Sequence, residues 1–503
     1  MHLARLPLLC LLIWSACTPL APTPEAPPTV IVTGDLGQKL AQQLDPLVRA
    51  IRSDHYCPSS IAIGVTRGDS IIYAKAFGYA NVDTRDTADI YTIYHLASLS
   101  KPVVAAALLH LQSQGRLGLD DPVVQYLPYF KLGTAGYERL TIRQILTHTS
   151  GLPANVGKDE WEHPTYTADA LETYVKGLAE TELEFAPGTA YGYSNAGFNV
   201  LGDVIAKASG QSFEAYVDQH ILQAAGMTTA TFLKPDSLPE HWAAPHIIGT
   251  QTRVWEHYPY NRRYAPSSAL HANIIDMCRW GMLNLGHGSS GAFSVLDSTD
   301  YAPMIQPWAD TPWGEKIGLS WYLQHYEGKP TILHTGADIG FSTQMILYPG
   351  EDIGIVVLAN RAYSRTARLA NAIMEIIADL GVKPYEVSGR FPFCQTWEER
   401  GWESAQAAWR LLLRDTTDQY YADEWELNSI GHGLIFTEEY EKAKAVFAFN
   451  IELFPESANT YDSYGDALLA MGDTIGAISY FQRALEVDPA FGDPGPKLAA
   501  LAR

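Results

Sequence analysis

Cysteine is scarce in this chain: five residues in 503, at Cys10, Cys17, Cys57, Cys278 and Cys394. No two stand at metal-ligand spacing, and five are too few for a disulfide scaffold, so an apolar core must hold the fold. Basic residues are also short, 35 Lys and Arg against 56 Asp and Glu, for a formal net charge of -21. That balance argues against nucleic acid or an anionic lipid surface as a partner held by bulk electrostatics. No apolar run reaches the ~20 residues that a mature helix needs to span a bilayer. A Gly-x-Ser-x-Gly elbow is missing, which removes the α/β-hydrolase route to a reactive serine. Neither a metal nor another cofactor is expected.

What is present can build large cores: 47% hydrophobic residues, with 12 Trp, 28 Tyr and 16 Phe. At ~100–200 residues per domain, the length suggests two or three domains. Acid is concentrated at one end. Residues 395–503 hold 19 Asp and Glu against 8 Lys and Arg, which marks a separate C-terminal module. At the other end, Arg5 precedes the apolar stretch Leu6 to Trp14, the layout of an export signal over residues 1–17. Ser15, Ala16 and Cys17 resemble the lipobox of bacterial lipoproteins, although Trp14 stands where Leu is usual. The resemblance implies that Cys17 is lipidated and that the protein resides in the periplasm or cell envelope, touching the membrane only through that anchor. Five prolines within residues 18–29 suit an extended tether, taken to residue 36. With Cys17 lipidated, at least one remaining thiol is expected to be unpaired and buried.

Periodicity predicts a helix over 37–52, strands over 61–66 and 70–77 joined at Arg67-Gly68-Asp69, and a helix over 101–114 stopped by Gly115. Helices and long loops follow to about residue 300. Strands are expected over 331–335, 340–348 and 353–359, and a closing helix over 363–380. Strands near both ends with helices between predict an α/β (α+β) domain over 37–382. One antiparallel sheet built from both termini is flanked by helices and carries a helical lobe, with the site in the crevice between them.

Ser98 and Lys101 share one face of the helix that begins near Lys101. A serine needs a base in reach, and a lysine serves if burial lowers its pKa. The helix N-terminus adds free N–H groups for a developing oxyanion. Ser-x-x-Lys alone is weak, and a surface lysine is the blander reading. Tyr193 and Asn195 stand together on a loop before a helix over 196–208 that ends at Gly210. A Tyr beside a Lys ammonium has its phenolate favoured, so Tyr193 could relay protons at Ser98, while Asn195 could hydrogen-bond a substrate amide or cap the helix. His334, Thr335 and Gly336 fall at the expected end of a strand, where Gly336 would let a ligand approach the backbone and Ala337 N–H could be a second oxyanion donor.

In this order, the three elements resemble the serine β-lactamase and penicillin-binding-protein superfamily, nearest to class C β-lactamases, D-alanyl-D-alanine carboxypeptidases and related esterases. The runs LTIRQILTHTSGLP at 140–153, RLGLDDP at 116–122 and APSSAL at 265–270, with Asp276 to Trp280, extend the likeness over roughly 40–380. The resemblance implies a serine hydrolase with Ser98 as acylated nucleophile, Lys101 as base or electrostatic partner and Tyr193 as general base and acid. Asn195, Thr335, Gly336 and Ala337 would position a D-amino-acid peptide, β-lactam or small ester or amide. His334 replaces the lysine of many β-lactamases, which weakens the case for a dedicated β-lactamase. His148 is expected to be structural.

Beyond residue 382 the strand signals stop. Residues 398–413 and 423–436 look helical, and 383–422 reads as a linker with a helix. Gly431, Ala443, Phe447 and Pro455 recur 34 residues later as Gly465, Ala477, Phe481 and Pro489. That period resembles the tetratricopeptide repeat, a helix–turn–helix solenoid, over 423–503. An alternative function follows: a non-catalytic scaffold that binds a protein partner through these repeats. The intact Ser98, Lys101 and Tyr193 speak against it.

Overall fold

A computed structural model describes residues 29–157, 164–362, 364–417 and 419–502. The export signal, Cys17 and the tether as far as residue 28 lie outside the described residues.

A nine-stranded antiparallel sheet organises the first domain. Its strands are β1 (Ile31–Val32), β2 (Ile61–Arg67), β3 (Ser70–Phe77), β4 (Ala309–Asp310), β5 (Lys316–Ile317), β6 (Tyr322–Tyr326), β7 (Lys329–Asp338), β8 (Phe341–Tyr348) and β9 (Ile353–Ala359). Their order is β1-β3-β2-β9-β8-β7-β6-β5-β4. The two ends of the domain meet where β2 pairs with β9, from Ile61 opposite Ala359 to Arg67 opposite Ile353. The sheet built from both termini is therefore present. The four strands beyond the expected five, β1, β4, β5 and β6, are two residues long or, in β6, a polar and aromatic run, too little for period-2 alternation to register.

Strand β9 is buried along its whole length because helices cover both faces of the sheet. On one face, helix α1 (Gly34–Asp54) packs Leu40, Leu44 and Val48 against Ile61, Ile63 and Val65. The other face meets α2 (Ser100–Ser113), α3 (Asn195–Ser209) and α4 (Ile274–Leu285), which form the helical lobe. Gly64 is required there, since a Cβ would lie 2.3 Å from Cys278 Sγ on α4. Helix α5 (Thr366–Ile377) closes the domain against α1 with Leu369 and Ile373. Cys57, Cys278 and Cys394 are free and buried.

The C-terminal helices are α6 (Arg390–Arg400), α7 (Trp402–Leu412), α8 (Glu424–Phe436), α9 (Tyr440–Leu453), α10 (Ala458–Ala470), α11 (Thr474–Val487) and α12 (Pro494–Leu501). The single helix expected over 398–413 is two, broken at Gly401, whose φ of +84° the α-helix cannot accommodate. Nor is 383–422 a linker. Val387–Ser388 pairs in parallel with Tyr420–Tyr421, and Phe393, Cys394 and Trp409 share one core with Leu427, Ile430 and Phe447. In the two repeated words, glycine makes room for an aromatic ring. A Cβ on Gly431 would lie 2.4 Å from the Phe447 ring, and one on Gly465 would lie 2.5 Å from that of Phe481.

The module rests on the first domain. Gly433 of α8 approaches the carbonyl of Ile248, where a Cβ would sit 2.9 Å away. Arg253 Nη2 donates to Thr437 O at 2.6 Å, and Trp255 meets Phe436 at 5.3 Å between ring centroids.

Candidate active site

The segment leading into α2 makes a tight turn in which Ala97 has φ of +49°, an uncommon value for a side-chain-bearing residue. The turn leaves Ser98 half-buried at the head of the helix. Ser100, one step on, is fully buried and ties the turn down, donating to Ala97 O at 2.7 Å. Three residues after Ser98, Lys101 points back along the same face. Its Nζ donates to Ser98 Oγ at 2.9 Å and to Ser267 O at 2.8 Å. Lys101 is fully buried and forms no ion pair among the described residues. Burial therefore pushes its pKa well below the usual lysine range, against a weaker opposing pull from Asp338.

Tyr193 donates its hydroxyl to Ser98 Oγ at 2.7 Å. Its ring lies under Lys101 Nζ at 4.8 Å and against the His148 ring at 4.4 Å. Desolvation raises the Tyr193 pKa. This reverses the expectation of a favoured phenolate: the lysine is the group burial drives towards neutrality, so the phenol keeps its proton. Ser194, next along, caps α3 by accepting from Gly197 N at 2.9 Å, so Asn195 is not the cap. Asn195 instead gives Nδ2 to Asn155 Oδ1 at 2.9 Å, while its own Oδ1 has no partner among the described residues. His148 Nδ1 accepts from Ser194 N at 3.1 Å, which places the Tyr193 ring and the start of α3 together.

Strand β6 pairs with β7 only as far as Leu333, so the edge of β7 from His334 onward is open. Thr335 and Ala337 are exposed on one face of that segment, and His334 and Gly336 are buried on the other. A cavity of about 190 Å³ is lined by Ser98, Asn195, Ser267, Ala337 and Asp338 among others, and neither Thr335 nor His334 reaches it. His334 stands behind the reacting groups. Its Nδ1 lies 2.7 Å from Thr335 O, and its Nε2 has no partner among the described residues. Burial, helped by Lys101, lowers its pKa to about 3, so the ring is neutral. Gly336 serves protein packing rather than ligand approach: a Cβ there would lie 2.2 Å from Leu96 O and 2.3 Å from Thr343 Oγ1. Its small size lets the strand seat the turn that carries Ser98.

Two contributors were not foreseen. The Ser267 carbonyl holds Lys101, and the signal for it was the APSSAL run itself. Asp338 reaches the cavity and pairs with buried His95, Oδ2 to Nε2 at 3.0 Å, in a contact that no local motif announces.

Comparison with known proteins bears on the same region. The family model described as Beta-lactamase matches residues 45–378. Protein flp of Staphylococcus aureus (strain MW2) is 28% identical over 326 residues, 63% of each chain, so this chain spans under two thirds of that relative's length. The D-alanyl-D-alanine-carboxypeptidase/endopeptidase AmpH of Escherichia coli (strain K12) is 27% identical over 344 residues, 65% of this chain and 86% of that one. The octameric penicillin-binding protein homologue from Pyrococcus abyssi has a TM-score of 0.59 at 25% identity, covering 69% of this chain and 78% of its own. A class C beta lactamase from Rhodobacter sphaeroides, at 22% identity and a TM-score of 0.55 over 67% of this chain and 99% of its own, shares the fold.

Proposed function

The chain belongs to the beta-lactamase family, and from that premise we propose that it is a serine hydrolase working through an acyl-enzyme on Ser98. The observation that carries the reading is the double contact on Ser98 Oγ, from Tyr193 OH at 2.7 Å and Lys101 Nζ at 2.9 Å. Lys101, held towards its neutral amine, takes the Ser98 proton as Oγ attacks the substrate carbonyl carbon. The N–H groups of Ser98 and Ala337 receive the oxyanion. When the tetrahedral intermediate collapses, the bond to the leaving group breaks and that group takes the Tyr193 phenolic proton. The Lys101 ammonium then returns its proton to the phenolate. Water repeats the steps in reverse to free the acid and Ser98. Asn195 Oδ1, without a partner among the described residues, suits an amide N–H of the substrate.

The substrate class is a D-amino-acid peptide, a β-lactam or a small ester or amide. A dedicated β-lactamase is the least favoured of these, because neutral His334 offers no cation to a substrate carboxylate. The export signal read in residues 1–17 supports a site of action in the cell envelope. The test is intact-protein mass after incubation with a fluorescent penicillin, for wild type and Ser98→Ala, with hydrolysis of p-nitrophenyl acetate and D-alanine amide followed in parallel. An adduct or turnover that disappears in the variant supports the reading. Wild-type inertness to all three compounds overturns it.

A further inference from the structure

A second cavity, about 320 Å³, lies between the first domain and helix α8, and most of its exposed wall is apolar. Ile247, Ile248, Ile339 and Ala362 line it from one side and Phe436 from the other. Asp338 and Ile339 line both this cavity and the one that holds Ser98, so the two adjoin at the end of β7. Close approach is built in at each wall: a Cβ on Gly433 would lie 2.9 Å from Ile248 O, and one on Gly340 would lie 2.4 Å from Pro245 Cβ.

The polar groups around this space are already engaged by the protein. His246 Nδ1 is 3.0 Å from Asn360 O, and its Nε2 receives Val82 N at 3.1 Å. Ser429 Oγ receives Arg390 Nη2 at 3.2 Å, and His432 Nε2 is 3.2 Å from Ser463 Oγ. A guest therefore meets hydrocarbon, with the charged side chains of Asp338 and Arg390 at its border. Ile339 lies in the turn just after β7, two residues and at most about 7 Å beyond Ala337, a span of about five or six bonds of an extended chain.

We infer that this cavity is a distal subsite for an apolar extension of the substrate, with helix α8 forming its outer wall. The inference rests on the acyl-serine reading above and narrows it: the substrate is an ester or amide with a chain of more than about six atoms on one side of the scissile bond. Residues 379–503, and this wall with them, lie beyond the matched family region.

The test uses the full chain. The kcat/KM is measured for p-nitrophenyl esters from acetate to decanoate and, to cover the leaving-group side, for acetate esters from ethyl to decyl. Wild type and Phe436→Ala are compared. Phe436 is 43% exposed, so its truncation leaves the core intact. Binding of radiolabelled decanamide to Ser98→Ala and to Ser98→Ala/Phe436→Ala is followed by equilibrium dialysis. In one series the rate should be flat to about six carbons and then rise about fourfold per methylene. Phe436→Ala should flatten that rise by at least tenfold at ten carbons and leave the acetate rate unchanged. Decanamide binding that depends on Phe436, with no turnover of any ester, keeps the subsite and overturns the hydrolase reading. Ser98-dependent acetate turnover with no chain-length response, no Phe436 effect and no decanamide binding overturns the subsite alone.

Discussion

The C-terminal helices and the reaction centre satisfy their side chains in opposite ways. The helices repeat one local solution: Gly431 and Gly465 open space for Phe447 and Phe481, while Ala443 and Ala477 are fully buried. Each contact is apolar and joins neighbouring helices. The centre gathers Ser98, Lys101, Tyr193 and Ser267 from distant parts of the chain and leaves costs in place. Among the described residues Lys101 is buried without a paired carboxylate, His148 Nε2 and His334 Nε2 have no hydrogen-bond partner, and Ala97 and His148 sit at positive φ. Such departures are expected where a serine is made reactive. Damage to the centre should therefore remove activity without unfolding the chain, and damage to the helices should do the reverse.

Lys101→Met makes the sharpest break. It removes the amine from Ser98 and keeps an apolar stem in the same space. Turnover of p-nitrophenyl acetate should fall by about 10³-fold or more. Stability should stay within about 1 kcal/mol of wild type, because the lost bond to Ser267 O is set against the relieved burial of an ionisable group. Urea unfolding at pH 7.5 measures it, and a loss of several kcal/mol would make Lys101 a structural tie. Tyr193→Phe comes next. It keeps the ring on His148 and deletes only the proton carrier, so turnover should fall about 10²–10⁴-fold with an unchanged urea midpoint.

The reverse case compares Gly431→Val with Gly465→Val. Each drives a branched side chain into a buried ring and should cost about 1–3 kcal/mol. Gly431→Val should cost more, because Phe447 shares its core with Trp409, Leu427 and Ile430, whereas Phe481 clusters only with Leu468 and Ala477 among fully enclosed residues. The acetate rate should be unchanged in both. Equal costs would show that the two pairs are mechanically alike in spite of their different surroundings.

The same contrast explains what could be read from the sequence. The sheet built from both termini, the Ser98 helix and the 34-residue repeat were legible, because each is written in local words: alternating strands, a Ser-x-x-Lys, a recurring Gly, Ala and Phe. The tyrosine's protonation was not. It depends on how deeply Lys101 and Tyr193 are buried, which only the assembled lobe decides. Gly336 was assigned to ligand approach because its neighbour Leu96 is some 240 residues away in sequence. The break at Gly401 and the docking of 383–422 were missed because Phe393 and Trp409 find their partners on α8 and α9.

Buried imidazoles give the finest test, since several lie where the two regions meet. In His246, Val82 N can only donate to Nε2, so the proton sits on Nδ1, facing Asn360 O. His55 is held likewise: Arg365 Nε donates to Nε2 at 3.4 Å, and Nδ1 faces Ile51 O at 2.8 Å. Neither ring has an acceptor for a second proton. Burial lowers both pKa values to about 4, and that of His334 to about 3. The unfolded chain binds protons at these positions below its ordinary value near 6.5, and the folded chain does not until about 4. Stability should thus be flat above pH 6.5 on their account and fall as pH drops from 6.5 towards 4, by about 1.4 kcal/mol per pH unit for each ring. His55→Phe keeps an aromatic ring against Phe391, whose centroid lies 4.8 Å from that of His55, and should remove one share of that slope. Urea unfolding of the two proteins at pH 7.5, 6.5, 5.5 and 4.5 measures the difference. Parallel slopes would mean that His55 is already charged in the folded chain. A shallower slope in the variant would place an acid-sensitive tie where α6 meets α1, at the boundary between the domain that holds Ser98 and the C-terminal helices.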